Sequence, residues 1–178
     1  MTPDQKSDWS RPRQTARLTL RPPEPGDEAA HFAIFSHPEV TKHKPDPTPA
    51  TEAESRDMLN RDINHWATHG FGRWAVLFGG EAIGFGGLSL YGVSRAEALN
   101  LGYHLHPSRW RGGFATELAC HAVSFAFDEI GAQRVIGRVR AWNPGSIPVL
   151  ERAGLTFREE TELHGAPTLL YAIDRPTR

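Results

Sequence analysis

The chain has 178 residues, 39% of them hydrophobic, with a formal net charge of −1 and one cysteine. That length supports a single substantial core, and the near-neutral charge excludes the global basic field that nonspecific nucleic-acid binding requires. A lone cysteine excludes an intramolecular disulfide or thiolate metal cluster, and no apolar run is long enough for a membrane span.

Met1 to Gln14 is polar and lacks the apolar centre of a signal peptide. It reads as a disordered leader before one domain spanning residues 15–178, with the cytoplasm as the default location. Asp27 is placed to cap a helix running to Phe35. Lys44-Pro45-Asp46-Pro47-Thr48-Pro49 cannot be helix interior and forms a loop. Thr51 caps a second helix from Glu52 to about His69, with Met58, Leu59, Ile63 and Trp66 on its inner side. Trp74 to Phe78 and Ala82 to Tyr91 flank Gly79-Gly80 as the two arms of a hairpin. Leu99 to Leu105 is a strand whose leucines and Tyr103 share one face at period two, ended by Pro107.

Arg109-Trp110-Arg111-Gly112-Gly113-Phe114-Ala115-Thr116 then leads into a stripe of Ala115, Leu118, Ala119, Ala122, Val123, Ala126, Phe127 and Ile130, spaced as the buried face of a helix. Gly131 suits a left-handed cap, and Arg134 to Ala141 returns to strand. Glycines at the start of a helix let the backbone approach a ligand closely. The unpaired amides of the first turn, with the helix dipole behind them, favour a phosphate. The unit of strand, glycine loop, helix and strand therefore predicts a nucleotide-like cofactor carrying a pyrophosphate, although the same glycines also serve as a plain turn. The Gly-Lys-Ser/Thr ending of a nucleotidase P-loop is absent. Strands near Thr156 to Leu163 and Thr168 to Ile173 form a last hairpin around His164-Gly165. Two helices are expected before the first hairpin and two after it.

At these residues the chain resembles the GNAT superfamily of acyl-CoA-dependent N-acyltransferases, in its RimJ/RimL-like branch. The resemblance covers nearly the whole chain: Arg17-Leu18-Thr19-Leu20-Arg21-Pro22, His37-Pro38-Glu39-Val40, Gly84-Phe85-Gly86-Gly87-Leu88, Leu101 to Pro107, Trp110 to Glu117, Asn143-Pro144-Gly145-Ser146-Ile147, and Val149 to Leu155. It departs from the family at Arg111, where glycine is usual, and at Gly112, where a basic residue is usual. The resemblance implies an α+β fold. Its mixed, mostly antiparallel sheet has about six to seven strands and is flanked by about four helices. Two neighbouring parallel strands splay apart at the cofactor site.

The resemblance further implies acetyl-CoA as cofactor. Its diphosphate is held by Arg111, Gly112, Gly113, Phe114, Ala115 and Thr116, and its pantetheine amides pair with the backbone near Leu105 and His106. Asn143 has two readings, an N-cap ahead of Pro144 or a cofactor contact. Pro148 removes a helical bond, so this helix either begins later or bends. Ser146 falls where relatives place a serine beside the thioester sulfur; it also suits a helix N-terminus. The tyrosine that many relatives carry four residues on is Leu150 here.

Acyl transfer to an amine needs aligned reactants, a deprotonated amine and a stabilised oxyanion and thiolate. Relatives often carry a glutamate where Asn100 lies; asparagine accepts no proton at neutral pH but orients a water. His104 shares its face and titrates in a useful range, which makes it a candidate base, with a structural role as the other reading. A thiol pKa of about 8.5 makes the thiolate a good leaving group, so losing one assisting side chain costs modestly. Cys120, on the helix, reads as a packing residue rather than a nucleophile. The nine histidines are scattered outside ligand spacing, apart from His104 and His106 on one strand face, and no metal site is predicted.

The predicted activity is direct transfer of acetyl from acetyl-CoA to a protein N-terminal amine or a small-molecule amine, without a covalent enzyme intermediate. The acceptor side is walled by the helix from Glu52, the loop Lys42 to Pro49 and the last hairpin. Without a strong acidic cluster there, a polycationic acceptor is not favoured. A homodimer enters by analogy with the branch. The competing reading is a noncatalytic acyl-CoA sensor, motivated by Asn100, Leu150 and the shifted Arg111-Gly112.

Overall fold

The computed structural model describes residues 9–92 and 94–176, and within them eight strands form one sheet. In chain order these are β1 (Arg13–Gln14), β2 (Leu18–Arg21), β3 (Arg73–Phe78), β4 (Glu81–Tyr91), β5 (Ala98–Leu105), β6 (Arg134–Arg140), β7 (Thr156–Leu163) and β8 (Ala166–Asp174). Across the sheet the order is β1-β2-β3-β4-β5-β6-β8-β7, antiparallel throughout except for the parallel pair β5 and β6. The helices are α1 (Glu28–Phe35), α2 (Pro38–Thr41), α3 (Glu52–His69), α4 (Phe114–Phe125) and α5 (Ile147–Arg152), with a π turn, Ala126–Ile130, extending α4.

The fold is of the expected class, with more strands and helices than expected. The extra helix, α2, is one turn long and starts at Pro38, with the His37 ring accepting the Glu39 amide. The extra strand is β1, which lies within the stretch expected to be a disordered leader. Arg13–Gln14 pairs with β2, the Arg13 guanidinium bridges to Glu129, and Trp9 stands edge-on to Phe125 at 5.8 Å. Ordered structure therefore begins before residue 15, while residues 1–8 lie outside the described residues.

Local signals set the element ends. Thr51 and Glu54 cap α3 reciprocally and Gly70 closes it in the left-handed conformation. Asp27 occupies the cap position of α1, but its carboxylate bonds Arg21 and the Glu24 amide instead of the helix. α5 begins only at Ile147, with Ser146 in the cap position, so the proline-rich approach delays the helix and Asn143 is not its cap.

Apolar side chains pack on both faces of the sheet. On one face Leu88, Leu99, Leu101, Leu105 and Trp74 meet Leu118, Ala119 and Ala122 of α4; on the other, Ala75 and Phe85 meet Ile34 and Phe35 of α1 and Leu59 of α3. Each fully buried large side chain contributes about 1.5–3 kcal/mol, so these layers fix the sheet between helices, with the leucine face of β5 seated on α4. Among the described residues no helix is long and apolar enough to cross a membrane, and no group of three or more His, Cys, Asp or Glu side chains is placed to hold a metal.

Candidate active site

The site begins where the parallel pair fails. β5 and β6 are hydrogen-bonded only from Ala98↔Arg134 to Leu101↔Gly137; beyond that β5 runs on to Leu105 and β6 to Arg140 without pairing to each other. The result is the expected V-shaped gap in the sheet.

Register fixes what β5 offers to that gap. His106 and Ile83 are a hydrogen-bonded pair, with the His106 amide donating to the Ile83 carbonyl at 2.8 Å, and Gly84 lies opposite Leu105. Alternation along an antiparallel ladder then turns the main-chain groups of His104 towards β4 and those of Tyr103 and Leu105 towards the gap. Leu105 therefore faces the gap, with its carbonyl accepting the Trp110 indole N–H at 2.9 Å. The expectation for His106 is corrected. Its amide is engaged by β4, its carbonyl accepts Arg109 N–H and its ring bonds Ser108, so it ends the strand and starts the next turn.

The glycine loop closes one end of a cavity of about 640 Å³ whose walls include Tyr103, Leu105, Trp110, Asn143, Ser146 and Val149. Arg111 (φ 62°) and Gly113 (φ 78°) are both left-handed. The first helical bond of α4 runs from the Glu117 amide to the Gly113 carbonyl, which leaves the amides of Phe114, Ala115 and Thr116 as helix-terminal donors. The left-handed conformation at Arg111 suits glycine and strains arginine. The loop is braced from behind, because the Arg17 guanidinium donates to the Gly112 carbonyl at 2.8 Å and pairs with Glu117 at 2.7 Å. Sequence reasoning did not single out Arg17, whose partners lie about a hundred residues away.

A second cavity, of about 290 Å³, opens on the opposite face of β5, among Arg73, Asn100, Gly102, Arg138 and Arg140, and is covered by Val40, His43, Lys44, Pro45 and Leu163. His43, Lys44 and Pro45 of the loop before α3 and Leu163 of the last hairpin line it, and no α3 residue does. The two cavities share Val40, His43, Tyr103, His104, Asn143 and Ser146. An acyl group entering from one side and an amine from the other would therefore meet there.

Of the predicted catalytic residues, Ser146 stands at this junction, with its hydroxyl 3.3 Å from the Asn143 amide nitrogen. Asn100 is buried and its carbonyl oxygen accepts from the Arg138 guanidinium at 3.2 Å. His104 lines both cavities, lies tilted against the Phe35 ring at 4.8 Å and has a buried Nδ1 without a protein partner among the described residues. Burial, reinforced by the nearby Arg73 charge, pushes its pKa down to about 3, so the expected titration in the physiological range does not occur and the ring stays neutral. The Tyr103 hydroxyl is 3.4 Å from the Ser146 carbonyl, and burial raises its pKa to about 12, leaving a neutral hydrogen-bond donor on the cleft wall. Leu150 is buried against Gly137 and offers no acid. Cys120 is exposed rather than packed in the core, with Sγ 3.7 Å from the Arg152 carbonyl.

Comparison with known proteins places this geometry in context. A family model described as an acetyltransferase (GNAT) domain matches residues 17–156. The chain is 32% identical over 154 residues to FsC-acetyl coenzyme A-N(2)-transacetylase of Aspergillus fumigatus; the match covers 82% of this chain and spans 65% of that relative's length. It is 31% identical over 150 residues to the N-acetyltransferase p20 of Bacillus licheniformis, covering 82% of each. A solved acetyltransferase from Bacillus anthracis superimposes with a TM-score of 0.79 at 23% identity, covering 92% of this chain and 98% of that one.

Proposed function

The chain belongs to the GNAT acetyltransferase family, and from that premise we propose that it transfers the acetyl group of acetyl-CoA directly to a primary amine within a ternary complex. The supporting observation is the meeting of two cavities at Ser146 and Tyr103, through a gap that the sheet leaves open between β5 and β6. A reaction between two substrates entering from opposite faces requires such a passage, and alignment of the reactants supplies much of the rate. We assign the chain to the RimJ/RimL-like branch and to the cytoplasm, as one domain; the blocks quoted above support the branch. The proposed acceptor is either a protein N-terminal amine or a small-molecule amine.

The residues fit the cofactor. Left-handed Gly113 and the three helix-terminal amides suit an anionic diphosphate, and the gap-facing main chain of Tyr103 and Leu105 suits an extended chain carrying amides. When bound, acetyl-CoA supplies an activated acyl group with a good leaving thiolate. Thr116 adds a hydroxyl at the loop, and Asn143 holds Ser146 towards the junction. The Ser146 hydroxyl is positioned to hydrogen-bond the developing thiolate. Asn100 and neutral His104 orient water and the acceptor, and the amine loses its proton to solvent.

Calorimetry with acetyl-CoA combined with acetylation assays over an amine panel tests the proposal. Saturable binding with turnover on at least one amine class is expected. Binding with no turnover on any amine would favour a sensor and overturn the catalytic reading.

A further inference from the structure

From the acceptor-side cavity we infer that the acceptor is a small amine that also carries a carboxylate, in the manner of a free amino acid. The inference takes acetyl transfer to an amine as its starting point and names the class of amine.

Four cationic side chains line that cavity: Lys44, Arg73, Arg138 and Arg140. No carboxylate lines it. Elsewhere on the molecule Arg13, Arg17, Arg21, Arg109, Arg134 and Arg158 all form ion pairs with carboxylates at 3.0 Å or closer. Here the partners are different. Arg140 donates to the Leu163 and Ala166 carbonyls and to Thr168, tying the last hairpin down; Arg138 donates to Asn100. Lys44 and Arg73 make no ion pair or side-chain hydrogen bond among the described residues. The carboxylates that act on them do so from beyond salt-bridge distance, Asp62 on Arg73 and the exposed Asp46 and Glu54 on Lys44.

The fold makes room for Arg73 deliberately. Its guanidinium lies across Gly102 on β5, where an added Cβ would stand 3.1 Å from Nη2 and 3.7 Å from the Asn100 amide nitrogen. Its backbone carbonyl is fixed by the Trp66 indole at 2.7 Å. A half-buried guanidinium without a carboxylate in direct contact is costly to hold, and a bound carboxylate relieves that cost through paired N–H donors in a fork geometry. The buried, unpartnered His104 Nδ1 lies on the same face of β5, towards the junction with the cofactor cavity. A cavity of about 290 Å³ holds a small amine, with its carboxylate towards Arg73 and Arg138 and its nitrogen towards Ser146. The same positive lining disfavours a polycation.

Turnover of L-amino acids and their matched carboxamides at saturating acetyl-CoA tests the inference. The acids are expected to exceed the amides at least tenfold in kcat/KM, mostly through KM. Arg73→Gln is expected to bring that ratio towards one, with acetyl-CoA affinity within twofold of the parent; Arg138→Gln serves the same purpose if the first variant does not fold. Calorimetric titration of the CoA-loaded protein with N-acetyl amino acids against their amides reads carboxylate recognition without turnover. Carboxylate-selective binding with no turnover would overturn the acetyl-transfer proposal while supporting the anionic acceptor site. Turnover of amides or polyamines as good as that of the acids, or no carboxylate preference in binding, would overturn the inference alone.

Discussion

Ser146 is a serine at the start of a short helix, a place where serine commonly serves the backbone, yet here its hydroxyl pairs with Asn143 at the cavity junction. Replacing it by alanine should lower kcat about tenfold, the size of one lost hydrogen bond to a charged group, with the acetyl-CoA dissociation constant changed less than twofold. Unchanged kcat would remove Ser146 from the mechanism. His104 is governed by burial instead. Its pKa is pushed down to about 3, and that of the fully buried His31 to about 4, in both cases chiefly by burial and then by Arg73. Both rings are neutral in the folded chain but protonate in the unfolded chain below its ordinary value of about 6.5, so the unfolded state binds more protons there. Stability should therefore fall as pH drops from about 6.5 towards 4, by up to about 1.4 kcal/mol per pH unit for each ring. Melting temperatures at pH 7, 6 and 5 measure this; His104→Gln should flatten the slope, and a slope the same as the parent's would contradict the assignment.

The decisive element is the turn into α4, held left-handed at Gly113 with Arg17 behind it. A Cβ at Gly113 meets Arg17 Nη2 at 3.3 Å, a contact a flexible side chain can relieve, but the left-handed backbone disfavours any L side chain there by about 1 kcal/mol or more. Gly113→Ala should therefore weaken acetyl-CoA binding about five- to tenfold with a smaller effect on kcat; calorimetry that finds parental affinity would exclude the loop as the diphosphate site. This turn, α3 with its reciprocal cap and β5 with its alternating faces are readable locally because each rests on neighbours within a few residues. The start of α5 is less so, since Pro144 and Pro148 both suit a first helical turn and only packing chooses between them. The engagement of the His106 amide was hidden for another reason: which edge of β5 a main-chain group faces depends on its pairing register with β4, and pattern alone does not set that.

Across the whole molecule, the features missing from the sequence reading are those assembled from distant segments. β1 has two residues and gains its place from Trp9 on Phe125 and Arg13 on Glu129. The cationic cavity takes its charges from Arg73 of β3, Arg138 and Arg140 of β6 and Lys44 of the loop after α2, each of which looks like ordinary surface charge in isolation. Because Trp9 and Arg13 tie the start of the chain to the far end of α4, Trp9→Ala should cost about 1–3 kcal/mol and lower the melting temperature by several degrees. No shift would mean that the segment before β2 does not support the fold.

The central claim is geometric: the turn at residues 111–116 holds the cofactor's diphosphate and thereby directs the thioester through the opening between β5 and β6. A crystal structure of the protein with acetyl-CoA tests it most directly. The account predicts diphosphate oxygens within hydrogen-bond distance of the Phe114, Ala115 or Thr116 amides, pantetheine alongside Tyr103 and Leu105, and the acetyl group next to Ser146. Diphosphate bound away from this turn, or β5 and β6 closed against each other with the acyl chain outside the sheet, would contradict it.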